Sequence, residues 1–130
     1  MKICISSTGE DLNAQVDPRF GRCSYFLIVD TNTMSFESIS NESAMTAGGA
    51  GIQAAQTVAK AGVESVLTGN VGPNAFQTLS AAGIKVFTGV NGTIKEVIEK
   101  YKKGELNKTE SASVSSHFGM KTVGRGFGRG

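Results

Sequence analysis

Between Gly48 and Gly92 one unit is written twice: Gln56-Thr57-Val58-Ala59-Lys60-Ala61-Gly62 recurs as Gln77-Thr78-Leu79-Ser80-Ala81-Ala82-Gly83. Val66-Leu67-Thr68-Gly69 then returns as Val86-Phe87-Thr88-Gly89, and Gly72 as Gly92. Each copy has the pattern of a helix, a glycine stop, a short apolar strand and a glycine-rich turn. A helix feeding a buried strand twice in succession is the signature of parallel α/β packing. Two copies are too few for a solenoid, so they are expected to be halves of one sheet.

The chain ahead of the repeat supplies further strands. Residues 2–6 form a short apolar strand, and the polar stretch from Glu10 to Pro18 has no periodicity and predicts a loop. Tyr25-Phe26-Leu27-Ile28-Val29 is aromatic and branched throughout, and its unbroken apolarity predicts a strand covered on both faces. Asp30-Thr31-Asn32-Thr33 is turn chemistry, and Met34 to Ser40 alternates loosely enough for an edge strand closing a hairpin. After a polar connection a helix is predicted from about Ile52, with Ile52, Ala55, Val58 and Ala59 on one face and Gly62 as its stop. Strands at 65–68 and 85–88 flank a second helix opening at Pro73, with Phe76, Leu79 and Ala82 as its buried stripe. Thr93 and Glu96 have capping-box spacing ahead of Ile94, Val97, Ile98 and Tyr101 at helical intervals. The expected order is β-β-β-α-β-α-β-α, an α/β domain with a five-stranded mixed sheet: three antiparallel strands, then two added in parallel by right-handed crossovers.

A chain of 130 residues is one domain with core enough to fold unaided. The domain is expected over 1–103, followed by a flexible Gly/Ser-rich basic tail over 104–130 that ends in Gly124-Arg125-Gly126-Phe127-Gly128-Arg129-Gly130 and cannot bury a core. With 39% apolar residues and no apolar run near 18, a membrane span is excluded, and a start that runs straight into a strand predicts no signal peptide and a cytoplasmic protein. Residues 1–103 balance 9 Lys/Arg against 9 Asp/Glu, so the net charge of +2 belongs to the tail, too little to argue for nucleic acid. Cys4 and Cys23 are 19 residues apart in different elements, a spacing that suits reduced thiols.

Three places could carry chemistry. Gly48-Gly49-Ala50-Gly51 ahead of a helix offers backbone N–H groups and the positive end of the helix dipole to an anion, although it lacks the Lys-Ser/Thr of a P-loop; the alternative is that these glycines only permit tight packing. Asp17-Pro18-Arg19-Phe20-Gly21-Arg22-Cys23 places two arginines beside a thiol, where positive charge would lower the thiol pKa; otherwise Cys23 is a small buried residue and the arginines are solvated. His117, near Met120, could ligate a soft metal or stand solvated in the tail. Cys4, between Ile3 and Ile5, fits a packing role. No closed zinc spacing and no Ser-His or Cys-His dyad falls within 1–103, so catalysis is not expected.

Asp17-Pro18-Arg19-Phe20-Gly21-Arg22 followed by Tyr25-Phe26, the Gly48 to Gly51 turn, and Gly72-Pro73-Asn74-Ala75-Phe76 through Ala82-Gly83-Ile84 together resemble the dinitrogenase iron-molybdenum cofactor biosynthesis family, small proteins related to nitrogenase accessory factors. The resemblance covers roughly 1–103. It implies a three-layer α/β/α sandwich of ribonuclease H-like topology and a non-enzymatic carrier of an iron-sulfur cluster or an iron-molybdenum cofactor precursor. On that basis the cargo is expected at Arg19, Phe20, Arg22, Cys23, Gly48, Gly49 and Gly51, with Cys23 and His117 as candidate metal ligands. Cys23 itself departs from the small apolar residue usual in relatives. Partners implied are cluster-donating or cluster-receiving proteins, with no membrane, nucleic acid not expected, and a monomer or weak dimer. The competing expectations are a ribonuclease H-like nucleic-acid- or nucleotide-binding domain and a protein-interaction adaptor. Against a metal-dependent nuclease, the first strand, Lys2-Ile3-Cys4-Ile5-Ser6, has no carboxylate.

Overall fold

The computed structural model describes residues 1–41 and 49–109. Lys2–Ser7 (β1), Tyr25–Asp30 (β2), Phe36–Ser40 (β3), Ser65–Leu67 (β4) and Lys85–Phe87 (β5) form one sheet in the order β3-β2-β1-β4-β5. β2 is antiparallel to both β1 and β3, whereas β1 with β4 and β4 with β5 are parallel. Ala50–Lys60 (α1), Pro73–Ala81 (α2) and Ile94–Lys102 (α3) complete the expected element order.

Pleating sends successive side chains to opposite faces. Cys4, Phe26, Ile28, Val66 and Val86 pack with Ala54, Ala55 and Val58 of α1 and with Ala75 and Leu79 of α2. Ile3, Ile5, Leu27, Val29 and Leu67 take the other face, under Ile94, Val97 and Ile98 of α3. The result is a three-layer sandwich with α1 and α2 on one side and α3 on the other. Coverage of both faces is why β1 and β2 carry unbroken apolar runs. Each fully buried branched or aromatic side chain there is worth about 1.5–3 kcal/mol relative to exposure.

The structure moves several expected details. α1 begins at Ala50 rather than Ile52, because Gly49 takes a left-handed conformation (φ 71°) and turns the chain into the helix two residues early. The buried stripe of α2 is Ala75 and Leu79, with Phe76 only partly covered, and Ala82 is exposed because the helix has already ended at Ala81. Val16, in the expected loop, is buried, and that loop stitches the sheet to α3. Beyond Gly104 the chain keeps packing: Leu106 joins the α3-side core, Lys108 bridges Phe87, and the Thr109 N–H donates to the Val86 carbonyl at 2.7 Å. Polar residues can do this because a sheet edge needs backbone partners more than apolar side chains. The rest of the expected tail, 110–130, lies outside the described residues.

Candidate anion-binding site

The parallel connections bring the starts of α1 and α2 to the same edge of the sheet, beyond the ends of β1 and β4. A cavity of about 330 Å³ lies there, lined by residues 20–22, 49–52 and 72–75. Three segments distant in sequence therefore meet, and small residues let them. A Cβ on Gly21 would lie 3.0 Å from the Gly51 Cα, and one on Gly51 would lie 3.3 Å from the Ala75 Cβ.

The loop that carries Arg22 is tied to the chain entering α2. Asn70 donates its N–H to the Pro18 carbonyl at 2.7 Å and accepts from the Phe20 N–H at 3.3 Å. Gly69 passes so close to Pro18 that a Cβ there would lie 2.6 Å from the Pro18 Cα. Ser6 Oγ fixes the base of the loop by donating to the Asp17 carbonyl at 2.6 Å.

The first N–H groups of any helix lack intrahelical partners and carry the positive end of its dipole. α3 closes its start: Thr93 and Glu96 form the capping box expected from their spacing, and the Ile94 and Lys95 N–H groups donate to the carbonyls of Ala14 and Leu12. α1 and α2 do not. Their N-caps are Gly49 and Gly72, neither has a side-chain cap, and neither has an acidic residue in its first turn. Both starts face the cavity with Arg22, and no carboxylate, thiol or imidazole is among its described lining residues. Two positive helix ends and a guanidinium converging on one concavity favour an anion.

Of the residues expected at this site, Arg22, Gly49 and Gly51 line the cavity. Phe20 also borders it, but the side chain is 2% exposed and packs on Phe26 with ring centroids 5.3 Å apart, so it is a wall rather than a contact for a hydrophilic guest. Arg19 does not join them: its backbone N–H and guanidinium hold the buried carboxylate of Asp17, with Nε 3.3 Å from Oδ1. Its charge is thereby matched. Cys23 is fully buried, its Sγ 3.3 Å from the Phe20 carbonyl oxygen and 3.8 Å from Asn41 Nδ2. Burial first, and the nearby Asp17 charge second, push its pKa up to about 12, the opposite of the arginine-lowered thiol considered from sequence. Cys4 is likewise buried, and burial raises its pKa well above the usual thiol range. Gly48 and His117 lie outside the described residues.

The start of α2 was not singled out as part of a site by the sequence. Gly72-Pro73 is legible as a helix opening. Its meeting with Gly49 to Ile52 depends on the strand order.

The family model described as dinitrogenase iron-molybdenum cofactor matches residues 1–104. The chain belongs to this family. Among solved structures similar to this family member is the apo form of the orange protein from Desulfovibrio gigas, with a TM-score of 0.84 and 41% identity over 86% of this chain and 95% of that one. A Thermotoga protein provisionally named NifB, of the DUF35 family, superposes with a TM-score of 0.74 at 38% identity, covering 86% of this chain and 97% of its own. An uncharacterized protein of Methanocaldococcus jannaschii is 32% identical over 101 residues, 75% of this chain and 86% of that protein. Membership accords with a role connected to a metal cluster or cofactor. No helix among the described residues is long and apolar enough to cross a membrane.

Proposed function

We propose that the protein is a non-catalytic carrier that takes up an iron-sulfur cluster or an iron-molybdenum cofactor precursor in the Arg22 cavity and passes it to another protein. The observation that carries this is the contrast among helix starts: the one remote from the cavity is fully capped, whereas the two facing it are left without side-chain caps beside a guanidinium. Metal-sulfide clusters present sulfur acceptors and net negative charge, which N–H groups and Arg22 would meet. With no ligating side chain among the described lining residues, the cargo would be held by hydrogen bonds and charge, so it could leave as readily as it arrives. Membership in a cofactor-biosynthesis family, and similarity to a protein whose apo form has been solved, support the same role.

The test is anaerobic incubation of the full chain with ferrous iron and sulfide, buffer exchange, and measurement of visible absorbance with bound iron and sulfide. A chromophore that stays with the protein and is shed to a stronger apo-acceptor is expected. A colourless, metal-free protein after exchange would contradict the proposal and favour the adaptor alternative.

A further inference from the structure

β3 ends the sheet on the side away from β5, and among the described residues nothing pairs with its outer edge. The Asp30 N–H donates to the Ser35 carbonyl at 2.9 Å and the Asn41 N–H to the Ser24 carbonyl at 3.0 Å, so the backbone at 35 and 41 points toward β2. Antiparallel pairs alternate, and Phe36, Ser38 and Ser40 therefore turn their N–H and C=O groups outward. Such a row is a template for another strand, which proteins commonly block with lysine, proline or a covering element. The strand Phe36-Glu37-Ser38-Ile39-Ser40 has neither lysine nor proline. Phe36 is 41% exposed beside a cavity of about 300 Å³. Carboxylates flank the edge on both faces: Glu37 shares the face on which Ile39 packs, and on the other Glu10 accepts from Ser38 Oγ at 3.4 Å. Neither carboxylate is in an ion pair among the described residues. Lys2, which borders the same cavity, has Asp30 opposite it across the β1–β2 pair.

We propose that the β3 edge docks an extended basic segment of the protein that gives or receives the cargo, added to the sheet as a further strand. Lysine or arginine side chains on the two faces of that segment meet Glu37 and Glu10, and an apolar one covers Phe36. A second copy of this chain fits less well, since antiparallel pairing centred on Ser38 sets two Glu37 carboxylates on one face of the joint sheet. The edge also leads to the Arg22 cavity. At its end the Asn41 side-chain amide donates to the Gly21 carbonyl at 3.2 Å, and Gly21 lines that cavity. A docked segment thus holds its owner beside the cargo. That identity for the partner rests on the carrier role proposed above, whereas the docking chemistry does not.

The experiment mixes the cargo-free full chain with a fluorescein-labelled decapeptide of lysine and threonine carrying one central leucine, read by anisotropy and by amide exchange. A peptide with glutamate in place of lysine is the control. The basic peptide is expected to bind and to slow exchange at the Phe36, Ser38 and Ser40 amides, and the acidic one to do neither. Ser38→Pro removes an outward N–H and leaves the β2 pairing intact, so it should weaken binding about tenfold. Glu37→Lys, which leaves the backbone untouched, should lower affinity for the basic peptide and raise it for the acidic one. Equal binding by the native and Ser38→Pro chains, no preference between the peptides, or self-association that protects the same amides would each overturn the assignment. Peptide binding by a chain that retains no cluster would support the docking edge and overturn only the carrier role.

Discussion

Cys23 shows how a residue's surroundings decide its chemistry. Flanked in sequence by Arg22, it has the composition of an activated thiol, yet its side chain turns into the core while the arginine turns out. With its pKa pushed up to about 12, the Cys23 thiol is neutral at ordinary pH, and its side chain lies in the core rather than on the cavity wall. Both cysteines are therefore expected to resist a disulfide reagent at pH 8 in the native protein and to react once it is unfolded, as absorbance of the released thiolate would show. The linkage has a definite sign. With the folded pKa above the unfolded value near 9, the thiol's contribution is complete below pH 9 and is lost as pH rises toward about 12. Denaturation midpoints should fall over that window, and less steeply in Cys23→Ala, which should itself cost roughly 1–2 kcal/mol for the void it leaves. Arg19 and Arg22 divide in the same way: one is matched by Asp17, the other borders the cavity.

At the scale of elements, an uncapped helix start is a small sacrifice of stability. Gly72 has extended backbone (φ −79°, ψ 170°), and a Cβ there meets nothing within 4 Å, so a capping side chain would fit. Gly72→Asp should stabilise the fold by about 0.5–1 kcal/mol through a new cap and a favourable dipole contact. It should also weaken cluster retention, because the carboxylate would point into the anion cavity; calorimetry alongside reconstitution separates the two effects. Gly69→Ala should act in the opposite way. Its methyl would collide with Pro18, costing about 1–3 kcal/mol, and would displace the Arg22 loop from α2, so thermal stability and retention should fall together.

For the whole molecule, the element order and the split into antiparallel and parallel halves were legible because each level of the sequence agreed: the repeat marked the parallel half, the hairpin chemistry marked the antiparallel half, and unbroken apolar runs at Ile3-Cys4-Ile5 and Phe26 to Val29 required cover on both faces. Periodicity gave no such help with the docking of Val16 or of Lys108 and Thr109, which rests on long-range backbone pairing rather than on any local pattern. The cavity was half legible. Arg22, Gly49 and Gly51 announced themselves by residue type, whereas the α2 start joins them only through the sheet order, and the pairing of Arg19 with Asp17 is invisible until the loop is folded. The central claim is that Arg22, with two helix starts that have no side-chain cap, holds an anionic cluster. It is tested most directly by comparing how tightly Arg22→Gln and Arg19→Gln proteins retain a reconstituted iron-sulfur cluster at equal thermal stability. Loss of a charge-assisted contact worth about 1.5–3 kcal/mol predicts roughly 10- to 100-fold weaker retention for Arg22→Gln and little change for Arg19→Gln; equal retention by the two variants would contradict it.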